Sequence, residues 1–145
     1  MLEERAITMI TYHYAATNDY EYLKEKDRHV SAEMLERKIK YKEVIVAKDG
    51  DQIVGWLRFG YFWNVVPYMN LIHVLDSYRG LDVGTNLGTY WENEMRSKGH
   101  QMVLTSTMAV ETSQQFYRKC RYVDVGGFLL EKEGLEIMFK KNLNE

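Results

Sequence analysis

The segment from residue 71 to 88, LIHVLDSYRGLDVGTNLG, constrains the fold more than any other part of the chain. An apolar strand ends in this segment, a short loop containing Arg79 and glycines follows, and a helix begins near Val83. The first amides of a helix have no partner within it, and the helix dipole places positive charge there, so the loop is suited to hold an anion. The alternative is that Gly84 and Gly88 serve only the turn and close helix packing.

Hydrophobic patterning divides the whole chain into short strands and helices. In chain order we predict a strand at 5–15, helices at 18–26 and after the N-cap Ser31, strands at 44–47, 52–62 and 68–75, a helix at 83–98, a strand at 102–108, a helix at 111–121, and strands at 123–130 and 135–143. The order β-α-α-β-β-β-α-β-α-β-β predicts a mixed α/β (α+β) fold with about seven mostly antiparallel strands flanked by helices. No repeat or linker interrupts it, so we predict one domain over residues 1–145.

Composition excludes several classes of function. Charged residues of both signs are interspersed and the formal net charge is −2, so the basic face of a nucleic-acid-binding protein is missing. Cys120 is the single cysteine, which excludes an internal disulfide and fits a reducing compartment. The N-terminus has no apolar run of signal or membrane length, and the four histidines are scattered. We therefore expect a cytoplasmic protein without a metal site, nucleic acid or membrane partner.

Two motifs resemble those of the GNAT superfamily of general N-acetyltransferases. The stretch VLDSYRGLDVG at 74–84 looks like that family's pyrophosphate loop, which reads Gln or Arg, two residues, Gly, one residue, then Gly or Ala. Arg79 and Gly84 stand at the matching spacing, and Asp82 replaces the middle glycine. Further on, FYRKCRY at 116–122 resembles the family's FYxKxGF segment, with Arg and Tyr in place of the last Gly and Phe. The predicted order of elements also matches the family's fold over essentially the whole chain.

The resemblance implies a site for acetyl-CoA as co-substrate. The pantetheine arm would lie in a gap between the strand ending at Val74 and the strand at 102–108, and the loop amides would hold the pyrophosphate. A main-chain N–H of the Ile72 to Val74 segment would stabilise the oxyanion, and the Tyr117 hydroxyl would protonate the departing thiolate. A packing role is the alternative for Tyr117. The implied cofactor-binding residues are Ile72, His73, Val74, Arg79, Gly80, Leu81, Asp82, Val83, Gly84, Thr85 and Tyr117, with Tyr117 also catalytic.

The general base is not assigned by the sequence. Strand alternation turns His73 away from the face that carries Tyr68 and Asn70, and a lone histidine on an apolar strand is more often structural. The aromatic run at 61–63 is expected to wall the acceptor pocket and to favour a cationic amine through cation–π contact. Covering the sheet or forming a subunit contact is an equally open alternative. The predicted substrate-binding residues are Tyr61, Trp63, Tyr68 and Asn70.

The leading hypothesis is an N-acetyltransferase that moves the acetyl group of acetyl-CoA to a primary amine by direct attack on the thioester. The acceptor is expected to be a small-molecule amine or a peptide amine. The alternative is a non-catalytic acyl-CoA-binding or regulatory module on the same fold, favoured by the missing base and by the repulsion between Asp82 and a pyrophosphate. A pure interaction domain is a third hypothesis. The final strand is expected to be exposed and able to pair in a homodimer.

Overall fold

A computed structural model describes residues 10–144. The elements in chain order are β1 (Ile10–Tyr14), a 3-10 turn (Thr17–Asp19), α1 (Tyr20–Lys26), α2 (Ala32–Lys40), β2 (Val44–Asp49), β3 (Gln52–Phe62), β4 (Val66–Val74), a 3-10 turn (Asp76–Tyr78), α3 (Val83–Ser97), β5 (Met102–Met108), α4 (Ser113–Lys119), β6 (Val123–Leu129) and β7 (Leu135–Asn142). Residues 5–9 of the predicted first strand lie outside the described residues. Within 10–144 no helix is long and apolar enough to cross a membrane.

The seven strands form one mixed sheet in the order β1-β2-β3-β4-β5-β7-β6. Antiparallel ladders join β1 to β2, β2 to β3, β5 to β7 and β6 to β7, while β4 and β5 run parallel. The chain inserts β7 between β5 and β6, so residues distant in sequence become neighbours there. The predicted α/β fold with a mostly antiparallel sheet and flanking helices is confirmed.

Residues 10–59, together with residues 71–91, make up one compact unit. The apolar stripes of α1 and α2 pack on one sheet face, where Leu23 and Leu35 bury against Trp56. Helix α2 begins where expected, because the Ser31 hydroxyl accepts a hydrogen bond from the Met34 amide at 3.1 Å. The core of this unit follows from amphipathic helices covering an apolar sheet face.

Residues 60–70 and 92–144 make up the second unit. Phe139 of β7 is fully buried, and Tyr117 of α4 packs on it with ring centroids 5.8 Å apart. The buried Glu92 carboxylate accepts hydrogen bonds from the Tyr122 hydroxyl at 2.9 Å and from Lys141 Nζ at 2.8 Å. These two donors satisfy a carboxylate whose burial without partners would be costly.

Strand β6 lies at the edge of the sheet and is exposed along its whole length. Its exposed side chains include large apolar ones, with Leu129 75% and Val123 54% accessible. An unpaired apolar edge strand is a template for pairing with another chain. The expectation that the final strand is the exposed one is wrong, because β7 pairs with β5 on one side and with β6 on the other, which leaves β6 at the edge. The homodimer stays a prediction.

Helices α2, α3 and α4 end in the same way, with a left-handed residue just past the helix. At the end of α4 the Tyr122 amide bonds to the Tyr117 carbonyl and the Arg121 amide to the Arg118 carbonyl, both at 3.0 Å. This pair of bonds is the Schellman motif, whose left-handed position is usually glycine. The left-handed residue is Gly99 after α3, with φ +93°, but Lys42 after α2 and Arg121 after α4, with φ +59° and +74°.

We predict that Arg121→Gly raises the free energy of unfolding by about 0.5–1 kcal/mol. A left-handed conformation costs a non-glycine residue roughly 1–2 kcal/mol, and replacement by glycine removes this cost. Glycine loses more backbone entropy on folding, which offsets roughly 0.5–1 kcal/mol of the gain in stability. Urea denaturation of the purified protein measures the change. Arg121→Ala is the matched control, because it removes the side chain but retains the left-handed cost. An equal gain from both variants would show that the Arg121 side chain, and not its backbone, is destabilising.

Candidate functional site

The loop at residues 79–85 enters helix α3 through two left-handed residues. Gly80 has φ +80° and Asp82 has φ +63°. The first bond of the helix runs from the Asn86 amide to the Asp82 carbonyl at 2.9 Å. The amides of residues 83–85 precede that bond and have no acceptor within the helix. Together with the helix dipole, they fit an anion with several oxygens, such as a diphosphate.

Asp82 adopts the conformation that glycine supplies in the motif it resembles. Its side chain is exposed, and Asp tolerates the left-handed region better than most residues. A side chain that caps a helix accepts amide bonds from an extended backbone, and a φ of +63° lies outside that region. The geometry therefore disfavours competition between the Asp82 carboxylate and a bound anion for the helix amides.

Close packing on Gly55 of β3 positions the start of helix α3. A Cβ atom at Gly55 would lie 3.0 Å from the His73 carbonyl oxygen, 3.3 Å from Leu87 Cδ1 and 3.4 Å from Val83 Cγ1. A side chain at this position would push the helix and the end of β4 away from β3 by a few tenths of an ångström, so the glycine allows their close approach. The N-terminal turn of α3 is therefore held by the sheet itself.

Two further contacts fix the polypeptide that leads into the loop. The Tyr78 hydroxyl donates a hydrogen bond to the Asp49 carboxylate, at the end of β2, over 2.5 Å. Arg79 Nε donates to the Val74 carbonyl at 3.3 Å and lies 3.4 Å from an Asp76 carboxylate oxygen. The Arg79 side chain is 62% exposed, and exposed ion pairs of this kind are weak. Its guanidinium is therefore available to an anion bound at the loop.

Ile72, His73 and Val74, the predicted cofactor-binding residues at the end of β4, are half-buried. The His73 ring packs on Trp56 with centroids 4.8 Å apart. Trp56 belongs to the core of its unit, so His73 lies on the face that strand alternation predicted. Burial, with a smaller contribution from the Arg79 cation, lowers the pKa of His73 below its ordinary value of 6.5.

Tyr117 of α4 is only 5% exposed. Its ring contacts Phe139 and Tyr122, with centroids 5.8 and 5.9 Å away. Burial raises the pKa of Tyr117 above its ordinary value of 10.0, an effect that the Thr105 hydroxyl partly offsets and that the charge of Glu136 reinforces. The phenol therefore keeps its proton at neutral pH. A buried, protonated hydroxyl suits a proton donor, and the aromatic contacts also give it a packing role.

The four predicted substrate-binding residues lie together in the second unit. They line an open pocket of about 400 Å³ with aromatic walls. The Phe62 ring contacts Trp63 in a tilted arrangement with centroids 4.7 Å apart, and it stacks with the Tyr68 ring at a centroid distance of 6.5 Å. The complete lining comprises Tyr61, Phe62, Trp63, Tyr68, Asn70, Ser106 and Glu136.

Three of these lining residues form a hydrogen-bonded chain in the pocket. The Ser106 hydroxyl donates to Glu136 Oε2 at 2.6 Å, and the Tyr68 hydroxyl shares a short hydrogen bond with Ser106 Oγ. The pKa of Tyr68 is raised above its ordinary value, mainly by burial. The hydrogen bond with Ser106 partly offsets this effect, and the charge of Glu136 adds to it. Sequence reasoning missed Ser106 and Glu136. A signal was available for Glu136, which is the lone polar residue in the apolar start of β7, whereas Ser106 stands between Thr105 and Thr107 and is not marked out by the sequence.

The predicted site residues thus fall into two groups. The loop and the end of β4 lie in the first unit, while Tyr117 and the aromatic pocket lie in the second. In the described part of the chain, no three His, Cys, Asp or Glu side chains come together in a way that could hold a metal ion.

Comparison with known proteins identifies the fold. The chain is similar to Ard1 from Thermoplasma volcanium (TM-score 0.80, 12% identity, covering 93% of this chain and 98% of that one). It is also similar to yncA from Salmonella typhimurium with acetyl-CoA (TM-score 0.77, 14% identity, covering 95% and 96%). A third similar structure is an aminoglycoside 6′-N-acetyltransferase complexed with coenzyme A (TM-score 0.75, 19% identity, covering 92% and 97%).

At these identities the structural likeness shows the fold alone. No curated protein matches the sequence. The family assignment has a separate basis, because residues 8–122 match the acetyltransferase (GNAT) family. That match covers most of the chain and includes both the loop before α3 and the Tyr117 segment. The chain therefore belongs to the acetyltransferase (GNAT) family.

Proposed function

We propose that this protein transfers the acetyl group of acetyl-CoA to a primary amine. The observation that carries the proposal is the left-handed turn at Gly80 and Asp82, which leaves the amides of residues 83–85 without acceptors inside the helix. Three such amides and the helix dipole match the needs of a pyrophosphate. The similar structures bound to acetyl-CoA and to coenzyme A support the same assignment.

The proposed reaction needs stabilisation of one oxyanion and protonation of one sulfur. The amine nitrogen attacks the thioester carbonyl carbon, and negative charge develops on the carbonyl oxygen. A main-chain N–H between Ile72 and Val74 is our candidate for stabilising that oxygen. When the carbon–sulfur bond breaks, the Tyr117 hydroxyl gives its proton to the thiolate. A raised pKa is consistent with this role, since the phenol must be protonated before the step.

The experiment that tests the function combines calorimetry with a thiol-release assay. Acetyl-CoA should bind the purified protein, and binding should weaken in Arg79→Ala and Gly84→Val. A panel of primary amines is then screened for release of coenzyme A. Absence of acetyl-CoA binding at high concentration would contradict the proposal. Binding without release for any amine would instead favour the non-catalytic acyl-CoA-binding module.

We predict that Tyr117→Phe lowers kcat by about 100-fold or more, the size of effect typical of a general acid. Acetyl-CoA affinity should change little, because the phenyl ring retains the contacts with Phe139 and Tyr122. Steady-state kinetics with the best amine measure the effect. Tyr41→Phe is the matched control, since it removes a hydroxyl from a tyrosine that is 63% exposed. Equal rates for wild type and Tyr117→Phe would leave Tyr117 with a packing role only.

We predict that Asp82→Gly tightens acetyl-CoA binding by about fivefold, since two charges about 4 Å apart in water interact by about 1 kcal/mol. Asp82→Asn separates the two possible causes, because Asn also tolerates the left-handed region but carries no charge. Equal tightening in both variants identifies charge repulsion, and tightening in Asp82→Gly alone identifies backbone strain. Unchanged or weaker binding in Asp82→Gly would show that Asp82 does not hinder the cofactor. Calorimetric titration with acetyl-CoA provides the measurement.

The cytoplasmic location and the single-domain organisation stay predictions from the sequence. The acceptor amine is proposed to be a small molecule or a peptide amine. The chemistry of the aromatic pocket narrows this choice further.

A further inference from the structure

The aromatic pocket holds one carboxylate, and that carboxylate is the only charged group among its lining residues. Glu136 stands at the start of β7 and is half-buried. Its Oε2 atom accepts a hydrogen bond from the Ser106 hydroxyl, and the second carboxylate oxygen retains lone pairs for another donor. A single acid surrounded by aromatic rings is suited to a ligand with one positive charge and an apolar body.

Resting on the proposed acetyl transfer, we propose that this pocket selects a primary alkylammonium with an aromatic or apolar body. We further propose that Glu136 accepts the proton that must leave the ammonium before it can attack. Ser106 and Tyr68 hold the Glu136 carboxylate in place through their hydrogen-bonded chain and act as positioning residues. This assignment supplies the general base that the sequence alone does not identify.

The turn that carries Trp63 provides independent support for a ligand at this pocket. Trp63 and Asn64 both have positive φ, +57° and +59°, and the Val65 amide bonds to the Phe62 carbonyl at 3.0 Å. A two-residue turn of this type normally uses Asn and Gly. Trp63 adopts the costly left-handed conformation although its side chain is 80% exposed and its aromatic contact is with the adjacent Phe62. A ligand at the pocket mouth would cover the exposed face of this ring.

The position of Glu136 relative to the proposed acid is also favourable. Tyr117 interacts electrostatically with both Tyr68 and Glu136, since the charges of these two residues raise its pKa. All of these groups lie in the second unit, on strands β4, β5 and β7 and on helix α4. The negative charge of Glu136 thus favours the protonated form of Tyr117, the form that the proposed acid needs.

The protons balance as follows. The ammonium loses its first proton to Glu136, which passes it to solvent through the open pocket. The neutral amine forms the nitrogen–carbon bond, and as the carbon–sulfur bond breaks the thiolate takes the Tyr117 proton. The nitrogen then loses its second proton to solvent through the open pocket, and the Tyr117 phenolate regains a proton from solvent. The products are the amide, the free thiol and one proton released to solvent.

The test compares two amines of nearly the same shape but different charge. 2-Phenylethylamine is protonated at slightly alkaline pH, whereas fluorine substitution makes 2,2-difluoro-2-phenylethylamine largely neutral under the same conditions. We expect Glu136→Gln to lower kcat/KM for 2-phenylethylamine by on the order of 100-fold, the size of a general-base effect, and for the fluorinated amine by less than about tenfold. Ser106→Ala should give a smaller loss with the same selectivity. Equal losses for both amines would overturn the proposal.

A binding measurement separates this proposal from the proposed function. Trp63 is the exposed tryptophan, whereas Trp56 and Trp91 are buried, so its emission should change when 2-phenylethylamine is added. The change should be lost in Glu136→Gln and kept in Glu133→Gln, a matched control that neutralises an exposed glutamate on the β6–β7 turn. Binding lost in Glu136→Gln without turnover of any amine would support the pocket assignment and contradict acetyl transfer. Equal binding by wild type and Glu136→Gln would overturn the pocket assignment.

Discussion

The close approach of helix α3 to strand β3 over Gly55 is the constraint on which the loop depends. With no side chain at Gly55, Val83 and Leu87 pack against the strand, and the end of β4 lies directly beside them. The helix start is therefore fixed by the sheet and not by loop residues, which are free to present their amides. An anion site made of backbone atoms needs such support, because its affinity comes from amides that do not reorganise when the anion binds.

Several left-handed backbone positions in this chain carry side chains where glycine would be least costly. Arg121 completes a Schellman motif and Asp82 completes the turn into α3, so in both cases the backbone geometry is kept although the residue differs. This explains how the chain departs from the family's glycines without losing the corresponding turns. Trp63 is different, because its turn also exposes a large aromatic surface. A strained position whose side chain is mostly exposed is a reason to propose a functional contact.

Local patterns in the sequence predicted most of the fold. The strands at 52–62 and 102–108 and the start of α3 at Val83 match the structure residue for residue, because each is bounded by a strong turn or helix-start signal. Helix α4 spans Ser113–Lys119 and not the predicted 111–121, and at its C-terminal end the last turn closes into the Schellman motif. The contact between Ser106 and Glu136 could not be predicted from the sequence. Their contact depends on the β5–β7 register, which sets Met108 opposite Glu136, and no local pattern specifies the pairing of strands so far apart in sequence.

Alternation along strand β5 places the two residues of the proposed proton transfers in different environments. Thr105 and Ser106 are successive residues of β5, so their side chains point to opposite faces. Thr105 is fully buried and interacts with the phenol of Tyr117, whereas Ser106 opens into the aromatic pocket and donates to Glu136. One face of the strand thus keeps a hydroxyl protonated through burial, and the other holds a carboxylate where a cation can reach it. Groups with such contrasting environments can act as acid and base at the same pH.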